Sequence, residues 1–245
     1  MWKSTVVEHH RLREDIAVVR LIGDAVPFRP GEYVTVTVPQ APHAPRLLSP
    51  ALPPSLDGKL EFHVRAVPGG WVSGSIVADT RPGDIWQIDA PAGGHLHIDD
   101  SGRDVVLIAG GTGLAPLRAL ILDMLRNPNP PRTYLFIGGR SPRDLYAADM
   151  LTLLADELPW LTVIPVVERI DDPKRPDDWH EYTRVDIGFG EEQYLAGRLP
   201  EVVAEHGPFL DHQVLLCGSP GMTSVTIDRL VAGGTPFENI RFDSV

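Results

Sequence analysis

A single cysteine, Cys217, stands in the 245 residues. It cannot close an internal disulfide, supply the four thiolates of an iron–sulfur cluster or anchor a structural zinc alone, so electrons handled by this chain need another carrier. Basic residues are scarce, 22 Lys and Arg against 33 Asp and Glu. The formal charge of −11 argues against a polyanion, and nucleic acid is not expected as a partner. No stretch reaches the roughly 18 consecutive apolar residues of a membrane helix. Met1-Trp2-Lys3-Ser4 opens no apolar signal region, so a cytoplasmic location without a membrane span is the expectation. His9 and His10 invite a metal reading, but neighbours on a strand face opposite sides. They are expected to be surface histidines, and no metal is predicted. What the chain does have is 43% hydrophobic residues, enough for one large or two small domains.

Two halves follow different patterns. From 5 to 90, short β-branched runs at 5–7, 16–22, 33–38, 60–67 and 85–88 are separated by turn signals such as Pro30-Gly31, Asp57-Gly58 and Pro82-Gly83. That is the grammar of an antiparallel β-barrel or sandwich, with one helix predicted at 72–79. After the polar segment Asp99-Asp100-Ser101-Gly102-Arg103, continuous apolar strands are predicted at 105–109, 133–137, 161–167 and 214–217. Helices are predicted between them at 116–126, 147–158, 191–205 and 222–231. This alternation predicts a parallel-sheet α/β nucleotide-binding domain. The expected domains are 1–100 and 101–245. The Asp-rich stretch 170–190, with Trp179 and Tyr182, is long enough to suggest a lid or insertion.

Four motifs carry the chemistry. Gly110-Gly111-Thr112-Gly113-Leu114-Ala115-Pro116 follows an apolar strand and enters a helix, so phosphates could approach backbone amides there. Leu216-Cys217-Gly218-Ser219-Pro220-Gly221-Met222 repeats that design at the last predicted parallel strand; alone, Cys217 reads more readily as a small buried residue. Arg46-Leu47-Leu48-Ser49 offers a guanidinium. Gly70-Trp71-Val72-Ser73 opens the lone helix of the first half, where a positive helix end awaits an anion. A salt-bridged arginine and an ordinary N-cap serine are the plain alternatives, but together the two segments supply what a pyrophosphate needs.

In this order the four motifs resemble the ferredoxin–NADP reductase superfamily, and within it the reductase domains of flavohaemoglobins and bacterial oxygenase reductases. The resemblance spans nearly the whole chain. It implies an FAD-binding barrel followed by an NAD(P)-binding domain, with FAD held across their interface and passing electrons from a nicotinamide to a separate acceptor. By that resemblance Arg46 pairs with flavin phosphate, with Leu47 and Leu48 in the same motif, and Ser49 hydrogen-bonds near flavin N5. Gly70, Trp71, Val72 and Ser73 form the flavin pyrophosphate loop, and His63, Val64 and Arg65 line the cofactor. Gly110, Gly111, Thr112, Gly113 and Pro116 form the dinucleotide loop, with Thr112 beside the flavin. Gly139 and Arg140 grip the dinucleotide, while Cys217, Gly218, Ser219, Pro220 and Met222 approach the nicotinamide. Ser49, Thr112 and Cys217 are the residues expected to act in hydride transfer.

Three positions depart from the family pattern. Leu48 replaces an aromatic Tyr, Ser219 replaces a Pro, and the ending Asn239-Ile240-Arg241-Phe242-Asp243-Ser244-Val245 has Asp243 for Glu and Val245 for an aromatic. Glu168, after the third predicted parallel strand, favours a free ribose diol and hence NADH, although Arg140, Arg143 and Arg169 nearby leave NADPH open. The acceptor is expected to be a partner protein, a fused globin-type domain or a small molecule. A degenerate, non-catalytic family member acting as a binding or regulatory module is the alternative reading.

Overall fold

A computed structural model of the chain describes residues 1–170, 189 and 193–244. Trp179, Tyr182 and Val245 lie outside the described residues, and with them the lid and terminal-cap expectations. Two compact units result: Met1–Leu96 with Ala115–Arg126, and His97–Leu114 with Asn127–Val245.

The first unit is built on six antiparallel strands, β1 (Trp2–Arg13), β2 (Ile16–Gly23), β3 (Tyr33–Thr37), β4 (Arg46–Leu48), β5 (Lys59–Arg65) and β6 (Ile85–Gly93), with α1 (Trp71–Asp79) between the last two. Their order is β4-β3-β6-β1-β2-β5. The two edges then meet: Pro50, just past β4, bridges Phe62 of β5, and the Ala51 N–H donates to the Glu61 carbonyl at 2.8 Å. This seam removes the open edge that a flat sheet would expose. Alternation does the sorting, as on β3, where Val34 and Val36 are buried between half-exposed Tyr33, Thr35 and Thr37. Inside, Trp86 stacks on Phe62 with ring centroids 5.9 Å apart.

β1 is far longer than the predicted 5–7. Glu8-His9-His10-Arg11 has no apolar alternation, but β2 pairs with it residue by residue through two irregularities in register. Of the two histidines, His10 is exposed beside Glu8 at 3.0 Å, whereas His9 is half-buried, and that burial lowers its pKa. The expectation of two surface histidines is therefore corrected for His9.

The second unit has six parallel strands, β7 (Asp104–Gly110), β8 (Thr133–Gly139), β9 (Leu161–Val167), β10 (Leu195–Ala196), β11 (His212–Gly218) and β12 (Ile240–Ser244). They are ordered β10-β9-β8-β7-β11-β12. The chain moves outward from β7 through β8 and β9, then returns to the other side of β7 for β11. That reversal makes the carboxyl ends of β7 and β11 the topological switch point. Helices α3 (Ala148–Glu157), α4 (Leu199–His206) and α5 (Pro220–Ala232) belong to this unit, while α2 (Leu114–Met124), apart from Leu114, groups with the barrel.

One sequence expectation is corrected here, and one strand that the sequence reading did not predict is added. The described part of the 191–205 helix is a short strand followed by α4, because Gly197 at φ +144° breaks the chain and Pro200 starts a new helix. The terminal segment is a full strand, β12, whose Arg241 is held by Asp99 at 2.7 Å.

Candidate functional site

At the switch point, strand β7 ends in Gly110 and a 3-10 turn, Gly111–Gly113, that runs into α2. Strand β11 ends in Gly218, and α5 begins at Pro220. The two loops interlock. A Cβ on Gly113 would lie 2.3 Å from the Cys217 carbonyl oxygen, and one on Gly218 would lie 2.1 Å from Met222 Cε and 3.3 Å from Gly110 Cα. Gly113 is thus required by the approach of one backbone to the other and Gly111 by its φ of +55°, while Gly110 and Gly218 face the flexible end of Met222. Met222 covers both Gly110 and Gly218, its sulfur 3.3 Å from the Thr226 hydroxyl.

Around this knot, Thr112 is half-exposed, Pro116 is buried in the first turn of α2, and Ser219 and Pro220 are exposed. Helix α5 has no side-chain cap at Ser219 and no acidic residue in its first turn. Its free amides and positive dipole end therefore suit an anion. Cys217 is fully buried and pairs across the sheet with Asp243. Burial, with the Asp243 charge added, pushes the thiol up to about 12, so it stays protonated and cannot act as a nucleophile.

The carboxyl ends of β8 and β9 lie farther along the same edge. There the Glu168 N–H donates to the Gly139 carbonyl at 3.3 Å and the Arg169 N–H to the Arg140 carbonyl at 2.9 Å. Arg140 and Glu168 are both exposed, and Arg140 has no ion-pair partner among the described residues. Gly139 leaves room for the Ser141–Asp144 turn, whose Asp144 Cβ would stand 2.9 Å from an added methyl.

In the barrel unit, Arg46 is exposed and, among the described residues, its guanidinium donates only to main-chain carbonyls, Pro45 at 2.9 Å and Ala44 at 3.4 Å. No carboxylate among the described residues neutralises it. Leu47 faces outward, 57% exposed, while Leu48 packs against the barrel core and Ser49 is half-buried. Helix α1 likewise lacks a side-chain cap at Gly70 and any acid in its first turn. The Ser73 hydroxyl is occupied within that turn, accepting from the Val67 N–H and donating to the Gly70 carbonyl, both at 3.1 Å. Val72 is core, and Trp71 stands 61% exposed beside the helix start. An unneutralised arginine and an uncapped helix start fit a dinucleotide's pyrophosphate.

The segment 63–65 is placed differently from expectation. Val64 is core, Arg65 pairs with Asp15 at 2.8 Å, and His63 is buried against Glu61, its Nε2 3.0 Å from Oε1. Glu61 is the hub of a charge cluster that also takes Arg20 Nε at 2.7 Å and Arg118 Nη1 at 2.9 Å. Burial alone would raise the Glu61 pKa, but His63, Arg118 and Arg20 outweigh it and bring it down to about 2. Burial also lowers the pKa of His63. Sequence reasoning missed Glu61 and Arg118, for they share no local motif. An acidic residue at an otherwise apolar strand position was the one available signal.

The family description "Oxidoreductase FAD-binding domain" matches residues 3–97, and "Oxidoreductase NAD-binding domain" matches 107–228. The electron transfer component of xylene/toluene monooxygenase from Pseudomonas putida is 30% identical over 98% of this chain and 64% of its own length. The reductase component of phenol 2-monooxygenase from a Pseudomonas species is 31% identical over 85% of this chain and 55% of its own. The chain thus spans less than two thirds of these relatives. Among solved structures, a cytochrome P450 reductase from Amycolatopsis superposes with a TM-score of 0.82 at 28% identity, covering 99% of this chain and 69% of that one. The flavohaemoglobin-like FAD/NAD-binding domain of a Vibrio cholerae nitric oxide dioxygenase shares the fold at 19% identity, with a TM-score of 0.77 over 100% of this chain and 98% of that one. With both of its halves matched and its glycine loops meeting at the switch point, this chain belongs to the ferredoxin reductase superfamily, an FAD-binding domain followed by an NAD-binding one.

Proposed function

We propose that the chain is the pyridine-nucleotide-oxidising part of an electron-transfer flavoprotein, with residues 1–100 serving the flavin and 101–245 the dinucleotide. The observation that carries this reading is the interlocked pair of loops, 110–113 and 217–222, at the carboxyl ends of β7 and β11. Bound FAD would supply hydride acceptance and the release of electrons one at a time, chemistry no side chain here offers. The chain's own contribution is placement. Arg46 and the first turn of α1 hold pyrophosphate charge, and the uncapped start of α5 takes the dinucleotide's phosphates. Ser49 donates a hydrogen bond toward the reacting edge of the flavin, and Thr112 and the protonated Cys217 shape the nicotinamide side. No general base is required, which agrees with a cysteine kept neutral.

The acceptor in this reading is an oxygenase or ferredoxin-type partner protein. Support comes from the relatives, named as components of monooxygenase systems. No helix among the described residues is long and apolar enough to cross a membrane, and the reading carries a cytoplasmic location with it.

The direct test is anaerobic mixing of FAD-loaded protein with NADH, followed by bleaching of the flavin band in a stopped-flow instrument. A band that does not bleach refutes the proposal. Arg46→Ala should weaken FAD binding roughly 10- to 100-fold by fluorescence quenching, the worth of a charge-assisted contact of about 1.5–3 kcal/mol. Cofactor choice follows from Glu168, whose carboxylate disfavours a 2′-phosphate. Because that side chain is exposed, water and salt screen it, and Glu168→Ser should raise NADPH use relative to NADH only about threefold. A wild type that already prefers NADPH would reverse the assignment.

A further inference from the structure

The seam that closes the barrel is clamped by a side chain outside the sheet. Arg118, in the second turn of α2, directs one nitrogen, Nη1, to two acceptors: the Ala51 carbonyl at 2.7 Å and Glu61 Oε1 at 2.9 Å. Ala51 in turn donates its N–H to the Glu61 carbonyl at 2.8 Å, and Pro50 bridges Phe62. Both polar groups of Ala51, a fully buried residue, are therefore satisfied through one short segment of β5 and one arginine. The arginine's anchor is itself held, because Glu61 is gripped by Arg20 on Oε2 and by His63 on the Oε1 it shares with Arg118. Immediately upstream sits Ser49, half-buried, with its backbone restricted by the proline that follows.

We propose that Arg118 is a positioning residue for Ser49: by holding the Ala51 carbonyl and the Glu61 carboxylate together, it fixes the orientation of the Ser49–Ala51 backbone and thereby aims the serine hydroxyl. The proposal rests on the flavin-facing role given to Ser49 above. Simple stabilisation is the competing account. The clamp predicts more than stability, since two bonds converge on the residue two places from the serine, and an error of about 1 Å in placing a reacting partner can cost on the order of 100-fold in rate.

The test is a double-mutant cycle on the FAD-loaded protein, using Ser49→Ala, Arg118→Met and the double variant. Arg118→Met leaves Glu61 its ion pair with Arg20 at 2.7 Å and its hydrogen bond with His63 at 3.0 Å, so the carboxylate is not orphaned. Reduction by saturating NADH should slow roughly tenfold in each single variant, and the double variant should be no slower than Ser49→Ala to within about threefold. The flavin absorption band should shift in the same direction in both single variants. In the apoprotein, hydrogen exchange at the Ala51 amide should accelerate at least about tenfold in Arg118→Met, a readout independent of activity. A wild-type rate in Arg118→Met, multiplicative slowing to roughly 100-fold in the double variant, or unchanged Ala51 exchange would each overturn the proposal. A wild-type rate in Ser49→Ala would instead overturn the reading of the serine itself. Should Arg118→Met fail to fold, Arg118→Gln, whose amide can still donate to one acceptor, enters the same cycle under the same criteria.

Discussion

Glu61→Gln should destabilise the protein by about 3 kcal/mol, seen as a fall of about 6–12 °C in melting temperature for a chain of this size. The amide is nearly the same size as the carboxylate, so packing is kept and the charge alone is lost. Arg118, only 13% exposed, then retains a buried guanidinium without its anion. Exposed pairs offer a contrast. Removing Asp57, which meets Lys59 at 2.7 Å with both side chains more than half exposed, should leave the melting temperature essentially unchanged. Acid should reproduce the Glu61→Gln effect in the wild type. The folded-state pKa of Glu61, about 2, lies below its ordinary 4.5. Its stabilisation is therefore complete above about pH 4.5 and is lost as pH falls toward 2. His63, whose pKa burial lowers from 6.5, acts in the same direction: the unfolded chain takes up that proton first, so stability begins to fall below about pH 6.5. Glu61→Gln should flatten the lower part of this profile. Melting curves between pH 7 and 3 that coincide for both proteins would remove Glu61 from the stability of the barrel.

The second large effect is expected at Gly113. An alanine methyl there would meet the Cys217 carbonyl oxygen at 2.3 Å, the Cys217 carbonyl carbon at 2.5 Å and the Gly218 nitrogen at 2.8 Å. All three are backbone atoms of the neighbouring loop, so no rotamer change relieves the overlap. Either β11 slides away from the 111–113 turn or the turn itself opens. In both cases the 110–113 loop moves by a substantial fraction of an ångström relative to the start of α5. Gly113→Ala should therefore cost about 1–3 kcal/mol of stability and lower the rate of flavin reduction by NADH on the order of 100-fold. FAD binding should remain within about threefold of wild type, because the groups assigned to the flavin phosphates lie in the other unit. Equal loss of FAD affinity and reduction rate would show that this loop does not serve the dinucleotide separately.

Much of the architecture was legible in the sequence because it rests on local signals. The central parallel strands, at 105–109, 133–137, 161–167 and 214–217, are continuous apolar runs, and the structure places β7, β8, β9 and β11 over them. Helix α1 likewise starts one residue from its predicted beginning. What escaped lacks such a signal. The second half of β1 is polar and is a strand only because β2 and its register hold it. Strand β12 is five residues long and follows a 3-10 turn, too short for periodicity to reveal. In the 191–205 region the breakers Gly197 and Pro200 were visible and carried more information than the helical composition around them.

The candidate site divides the same way. The glycine loops announce themselves by residue type, but the structure adds a second reason for Gly113, namely the contact of its backbone with the neighbouring loop. His63 matched a family segment by position, yet its side chain turns into the Glu61 cluster. Arg118 and Glu61 are far apart in sequence and meet only once α2 docks on the barrel wall, a contact no spacing rule encodes.

The buried thiol of Cys217 has a practical consequence. With its pKa near 12, the fraction present as thiolate at pH 8 is on the order of one part in ten thousand, and the sulfur is sealed from solvent besides. Alkylation by iodoacetamide must therefore wait for β11 to open locally. As the only cysteine in the chain, it makes the unmodified protein its own gauge of that opening. The labelling rate, read by mass spectrometry with no introduced probe, measures how often the crevice breathes, and on the proposed function added NADH should slow it.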